Sequence, residues 1–204
     1  MKKIDLNKQL KRTSILNTAY KLFIEKGVNK TSIAEISQAA GVAKGTFYLY
    51  FRDKYDIRNK LISHESSQLF TAAKQALDKK LVNDGPMPFE DMIIFMINNI
   101  IDELNRNQSL LTFISKNLSW GVFKNALTAS PNSDDVDFTQ VFNEMIKASD
   151  KPIKDPELMI FLIIELVSST SYSAILYKEP VDIETLKPHL YNSVRSIIDQ
   201  HLEL

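Results

Sequence analysis

Apolar residues recur along this chain with the period of an α-helix, and polar residues lie between them. In each long segment apolar residues recur at spacings of three and four, which places them on one helical face. Predicted helices cover about 7–26, 53–81, 89–106, 109–118, 138–148, 156–178 and 186–203. The sequence therefore predicts an all-α fold.

Residues 31–54, between the first two long helices, carry the most specific local signal. Ser32, followed three residues later by Glu35, is the pattern of a capping box that starts a helix. Gly41 lies where a left-handed residue ends that helix, and a second short helix restarts at about Lys44. A helix, a glycine turn and a second helix predict a helix-turn-helix, whose second helix enters the DNA major groove.

The distribution of charge supports this prediction although the net charge of the 204 residues is zero. Residues 1–54 hold eleven Lys or Arg and four Asp or Glu, a balance of +7. The remaining fourteen basic and twenty-one acidic residues give −7. A basic head on an acidic body suits a protein that binds phosphates with one face only.

The helix-turn-helix also resembles a known family. Its residues Gly41-Val42-Ala43-Lys44-Gly45-Thr46-Phe47-Tyr48, then Tyr50-Phe51 and Asp53-Lys54, resemble the signature of the tetracycline-repressor (TetR) family of bacterial transcriptional regulators. The resemblance implies a homodimer that binds a palindromic operator in double-stranded DNA, usually as a repressor. It also implies release of the DNA when a small-molecule effector enters the larger domain.

We therefore expect two domains, joined by the helix that opens at Asp53. Residues 1–54 would form the helix-turn-helix DNA-binding domain, with the motif at about 32–51, and residues 55–204 the helical effector-binding and dimerisation domain. The two C-terminal helices, about 156–178 and 186–203, carry excess apolar surface and predict a four-helix interface between subunits. The alternative is that these faces complete the core of one subunit.

The predicted DNA contacts lie on the second helix of the motif and at the starts of its neighbours. Lys44 can reach guanine or a phosphate, Gly45 lets the helix approach closely, and Thr46 offers a hydroxyl and a methyl group. By resemblance, Tyr48 and Tyr50 contact phosphates, and packing is their alternative role. The predicted set is Thr31, Ser32, Ala43, Lys44, Gly45, Thr46, Tyr48, Leu49, Tyr50 and Lys54.

The body holds aromatic and methionine residues that are candidate walls of an effector pocket. Apolar walls favour a largely hydrophobic effector, and Asn98, Asn99 and Glu165 are candidates to fix its polar end. Core packing without any pocket is the alternative. The predicted ligand-binding set is Phe95, Met96, Asn99, Phe113, Trp120, Phe123, Phe161, Glu165 and Tyr172.

Other function classes find little support in the sequence. The chain has no cysteine, and we find no nucleophile with a nearby base, no phosphate-binding glycine loop and no metal-ligand spacing, so we expect neither enzyme activity nor a cofactor or metal. No secretory signal is evident and the apolar run 158–167 is too short to span a bilayer, so we expect a cytoplasmic protein. A regulator controlled by a protein partner, or one without any effector, remains the alternative, and a helical enzyme is a weaker one.

Overall fold

The computed structural model of the chain describes residues 3–117, 138–147 and 149–203. Apart from one isolated β-bridge, all regular structure in these ranges is helical. The helices are α1 (Lys3–Lys26), α2 (Ile33–Ala39), α3 (Lys44–Tyr48), α4 (Lys54–Asp84), α5 (Phe89–Arg106), α6 (Gln108–Asn117), α7 (Phe138–Lys147), α8 (Pro156–Leu176) and α9 (Ile183–His201). The predicted all-α fold is confirmed.

The helix-turn-helix formed by α2 and α3 follows from local signals in the sequence. The Glu35 amide donates to Ser32 Oγ at 3.2 Å, and the Ser32 amide donates to Glu35 Oε2 at 2.8 Å, which completes the predicted capping box. Gly41 ends α2 with a φ of +68°, in the left-handed region that favours glycine. The Val42 amide then donates to the Ser37 carbonyl at 2.9 Å and fixes the turn into α3.

Two helix starts differ from the sequence-based prediction, and a third agrees with it but lacks a capping bond. Helix α1 already includes Lys3, so it begins before the predicted residue 7, and Asn7 lies inside it. Asp155 adopts a φ of +47° and its side chain makes no capping bond, although α8 does begin at Pro156. Helix α9 begins at Ile183 because Asp182 caps it, and Pro188 lies within the helix, where it removes only one internal hydrogen bond.

Two hydrophobic clusters form the core, and two helices belong to both. The head cluster joins residues of α1, α2 and α3 with residues of α4 and α6: Ile15, Ala19, Phe23, Ile36, Phe47, Phe51, Ile57, Leu61, Ile62, Leu110, Phe113 and Ile114. The body cluster contains Ala73 and Leu77 of α4, Leu111 of α6, and residues of α5, α7, α8 and α9. Helices α4 and α6 therefore connect the helix-turn-helix to the body.

A polar network ties α5 to α9 beside the body cluster. The Tyr191 hydroxyl donates to Asn98 Oδ1 at 2.6 Å, and Asn98 donates to Asp102 at 3.0 Å. Lys187 Nζ lies 2.7 Å from the Asp102 carboxylate. Burial alone would lower the pKa of Lys187, but its hydrogen bonds to Asp102 and Glu184 outweigh burial and raise that pKa. Asn98 therefore serves the packing of two helices.

The last two helices are long and fastened to each other at one end, and the first of them, α8, is strongly apolar. Helix α8 has 21 residues, of which an 18-residue window has a mean hydropathy of 1.7, and by length and composition alone it is long and apolar enough to cross a membrane. It packs along α9, and a β-bridge joins Ile153, before α8, to Leu202, after α9. The Lys154 amide donates to the His201 carbonyl at 2.7 Å beside this bridge.

The capping box gives a testable pH dependence. The Ser32 amide, followed by Lys26 at 3.0 Å, lowers the pKa of Glu35 from 4.5 to about 2. Because the folded-state pKa is the lower one, the stabilisation is present above pH 4.5 and is lost as the pH falls towards 2. We expect Glu35→Gln to lower the denaturation midpoint at pH 7 and to flatten its fall between pH 5 and pH 3, measured by circular dichroism.

The matched control is Glu25→Gln, which changes an exposed carboxylate of α1 in the same head. Ser32→Ala should remove about 1 kcal/mol from the free energy of unfolding, as is usual for the loss of an N-cap. Equal pH slopes for the wild type and Glu35→Gln would show that the capping box does not contribute in this way.

Candidate nucleic-acid interface and body cavity

One face of α3 packs into the head and the opposite face is open. Phe47 is completely buried, whereas Leu49 and Tyr48 are 79 % and 51 % exposed. Ala43 and Lys44 are also exposed, and Thr46 is half-buried at the edge of this face. The structure thus brings five of the predicted DNA contacts together on one open surface.

Gly45 lies on the same open surface. A Cβ added to Gly45 would meet no atom within 4 Å, so packing among the described residues does not require a glycine there. The missing side chain instead leaves the backbone of α3 accessible to a large partner. This arrangement suits a helix that approaches base edges closely.

The two tyrosines of the predicted set have different environments. The Tyr48 ring meets Phe47 edge-on, with 5.4 Å between ring centroids, while half of the side chain is exposed. Tyr50 is half-buried and packs against the head cluster, with its ring centroid 6.5 Å from that of Phe51. The geometry favours a surface role for Tyr48 and a packing role for Tyr50.

Thr31 and Lys54 hold the loop between α1 and α2. Thr31 is 1 % exposed, and its hydroxyl donates to the Gly27 carbonyl at 2.9 Å. Lys54 Nζ donates to the carbonyls of Thr31 at 2.9 Å and Asn29 at 3.1 Å. The loop is thereby tied to the first turn of α4, and the Thr31 hydroxyl points away from any external phosphate.

Ser32 and two cations outside the predicted set complete the surface. Ser32 is exposed, and its Oγ accepts the Glu35 amide, which leaves the hydroxyl proton available for a phosphate. Lys30 and Arg52 are exposed in the loops before α2 and α4. Lys30 and Arg52 were not among the predicted contacts, although both contribute to the charge of +7 in residues 1–54.

The body contains a partly open cavity of about 180 Å³ between α4, α5, α6, α7 and α8. Its wall is mainly aliphatic, and each helix contributes one stripe of residues. Helix α5 provides Ile93, Met96, Ile97, Ile100, Ile101 and Leu104, and α8 provides Ile160, Ile163, Ile164 and Val167. Five serines interrupt this apolar wall: Ser66, Ser67, Ser115, Ser168 and Ser171.

Met96 is the one predicted ligand-binding residue that the described structure places in the cavity wall. Phe95 and Asn99 lie beside the lining stripe of α5. The Phe95 ring lies 5.7 Å from Lys80 Nζ, and the Asn99 amide donates to the Phe95 carbonyl at 2.8 Å. Phe113 belongs to the head cluster, where its ring centroid is 5.5 Å from that of Tyr20.

The predicted residues on α8 are likewise one position away from its lining stripe. Phe161 is half-buried and Glu165 is exposed, next to the lining residues Ile160 and Ile164. The Tyr172 hydroxyl lies 3.3 Å from that of Tyr177. Trp120 and Phe123 lie outside the described residues. The cavity wall follows the helical spacing of the aliphatic residues. The size of the aromatic residues does not identify it.

Comparison with known proteins gives the same assignment for the head. The sequence model described as "Bacterial regulatory proteins, tetR family" matches residues 15–61. The transcriptional regulator AcrR of Shigella flexneri is 30 % identical over 95 residues, which cover 47 % of this chain and 44 % of AcrR. The fatty acid metabolism regulator protein of Bacillus subtilis is 32 % identical over 73 residues, which cover 36 % of this chain and 38 % of the relative.

A similar fold extends over nearly the whole chain. The crystal structure of the regulator FadR of Bacillus subtilis, in complex with stearoyl-CoA, superposes with a TM-score of 0.64 and 17 % identity. The superposition covers 91 % of this chain and 98 % of FadR, whereas the sequence matches span less than half of the length of AcrR and of the fatty acid metabolism regulator. Together with the helix-turn-helix geometry, these findings show that residues 15–61 match the TetR family of bacterial regulatory proteins and that the chain shares the fold of FadR.

Proposed function

We propose that this chain is a cytoplasmic, ligand-responsive repressor that binds a palindromic operator as a homodimer. A small, largely apolar molecule in the cavity would release it from DNA. The observation that carries this proposal is that α4 and α6 belong both to the head cluster, which supports the helix-turn-helix, and to the cavity wall. The relatives are transcriptional regulators, so we propose no enzyme activity.

In this proposal residues 1–54 bind DNA and residues 55–204 bind the effector and form the dimer. The exposed surface of α3 would enter the major groove, with Lys44 and Thr46 reading base edges and Leu49 giving apolar contact. Ser32 and Tyr48 would hold phosphates on either side. Thr31 and Lys54 would make no contact with DNA in this proposal, and would stabilise the loop that precedes α2.

The cavity has a short structural path to the head. Ile114 of α6 lines the cavity and also belongs to the head cluster. The adjacent Phe113 packs between Tyr20 and Phe23 of α1, with its ring 6.4 Å from that of Phe23. A ligand that displaces α6 would therefore shift α1 and the helix-turn-helix. Such a coupling is typically worth about 1–3 kcal/mol between the two sites.

Helices α8 and α9 provide the surface that we assign to the dimer. Leu158 and Leu162 are one turn apart on α8 and remain 49 % and 39 % exposed. A second copy of the same pair would bury these residues in a two-fold interface of four helices. Two heads held in this way can read half-sites about 34–36 Å apart, which one head cannot do.

The class of effector is supported by the wall and by a similar fold. The cavity wall is aliphatic, so burial of apolar ligand surface would drive binding. FadR of Bacillus subtilis, which shares the fold, was crystallised with stearoyl-CoA. We take from it that this fold accommodates apolar chains, without assigning that ligand here.

Selection of operator DNA from a random pool, followed by fluorescence anisotropy, tests the role of Lys44. We expect Lys44→Ala to cost about 1–3 kcal/mol on the selected palindrome and to relax base preference at one position in each half-site. Lys21→Ala, on the exposed surface of α1, is the matched control. Equal losses on all sequences would instead make Lys44 a phosphate anchor, and unchanged affinity would remove it from the interface.

A pair of substitutions separates contact residues from residues that hold the fold. Leu49→Ser should leave the free energy of unfolding within about 0.5 kcal/mol, because Leu49 is a surface residue, and should weaken operator binding. Thr31→Val should cost about 1 kcal/mol of stability through its lost hydrogen bond, while the folded fraction keeps its operator affinity. Denaturant titration and anisotropy measure the two effects, and the reverse pattern would contradict both assignments.

Charged substitutions test the dimer surface. We expect Leu158→Glu with Leu162→Glu to give monomers in sedimentation velocity and to weaken operator binding at least tenfold, because four buried carboxylates would oppose association. Val82→Glu is the control, since Val82 is even more exposed but lies near the end of α4. Dimers that persist in the double variant would place the interface elsewhere.

A further inference from the structure

The cavity wall contains two hydroxyl groups without partners. Ser67 of α4 and Ser171 of α8 line the cavity, and the Oγ atom of each is buried without a hydrogen bond among the described residues. Ser171 as a whole is only 2 % exposed. Among the described residues, four buried side-chain polar atoms have no hydrogen-bond partner. Two of these four atoms belong to residues that line the same cavity.

Buried hydroxyls within a helix usually form a hydrogen bond to a nearby backbone carbonyl, and these two hydroxyls do not. Such a group can donate to the carbonyl four residues earlier, as Thr170 does to Leu166 at 2.7 Å on α8 itself. Leaving a buried hydroxyl without any partner is unfavourable, because it loses its bonds to water. Rotation about χ1 would turn either hydroxyl towards the cavity, where a ligand could supply the missing partner.

The charge of the wall restricts what can enter. Within the described ranges, no Asp, Glu, Lys, Arg or His lines the cavity. A carboxylate or an ammonium group would lose its hydration there without gaining a counter-ion, which is strongly unfavourable. A serine hydroxyl can donate and accept, so it suits a neutral hydroxyl, carbonyl or ester group.

The size of the cavity limits the length of the ligand. An apolar cavity of about 150 Å³ holds one benzene molecule. The volume of about 180 Å³ here therefore fits a molecule somewhat larger than benzene.

Resting on the function proposed above, we propose that the effector is a small uncharged amphiphile whose single polar group is hydrogen-bonded by Ser67 and Ser171. Its apolar part lies against the isoleucine stripes of α5 and α8. The hydroxyls select a polar but neutral group, and the aliphatic wall supplies the binding energy. The site is thus specific for ligand charge as well as for ligand size.

The test uses the full-length chain and four probes with the same eight-carbon skeleton. These are 1-octanol, 2-octanone, octanoate and octylammonium, with binding measured by isothermal titration calorimetry. We expect the two neutral probes to bind at least tenfold more tightly than the two charged ones. Ser67→Ala and Ser171→Ala should each weaken 2-octanone about 3- to 10-fold, as the loss of one hydrogen bond does.

The matched control is Ser169→Ala. Ser169 also lies on α8 but is exposed and does not line the cavity, so we expect less than a twofold change. If Ser67 and Ser171 are only small residues that let helices pack closely, their alanine variants will bind the probes as tightly as the wild type does. That result, tighter binding of octanoate or octylammonium, or no binding of the neutral probes would overturn the inference.

Operator affinity, measured in parallel by anisotropy, separates this inference from the proposed function. Serine-dependent binding of neutral probes without any change in operator affinity would support the site and contradict the ligand response. Release of the operator by octanoate alone would support the ligand response and overturn the neutral-ligand site. Release by 2-octanone that is lost in the double variant Ser67→Ala with Ser171→Ala would support both.

Discussion

The simultaneous packing of α4 and α6 into two hydrophobic clusters constrains the whole molecule. Ile57, Leu61 and Ile62 at the start of α4 lie in the head cluster, and Ala73 and Leu77 near its end lie in the body cluster. Because protein interiors are densely packed, neither helix can shift in one cluster without disturbing the other. The head and the body therefore differ in net charge, but they are packed together through α4 and α6 and move as connected parts.

Within the head, short-range contacts fix the open face of α3 before any partner arrives. The capping box sets the start of α2, the left-handed Gly41 sets its end, and Lys54 holds the preceding loop against α4. Each contact places a backbone segment without using the exposed side chains. Lys44 and Leu49 consequently remain unconstrained by packing, and the surface they form can vary while the scaffold stays the same.

How far the sequence predicts the structure depends on the range of the signal. The capping box at Ser32 and the turn at Gly41 were predictable because their partners lie within a few residues. The residues of the cavity wall were not predictable in the same way. Phe95 was chosen for the size of its side chain, whereas the wall is formed by the helical face of α5 that includes Met96. The placement of Phe113 against α1, and of Lys54 against two carbonyls, depends on how distant helices dock, which a single sequence does not specify.

The bridge between Ile153 and Leu202 has a consequence for local opening. It joins the residue stretch before α8 to the end of α9, while the loop of 177–182 closes the pair at its other end. A helix pair fastened at both ends opens as one cooperative unit instead of fraying from the terminus. The amides of Lys154 and Glu203, which bond across this bridge, would then exchange with solvent at a common rate that reports the opening of the whole pair.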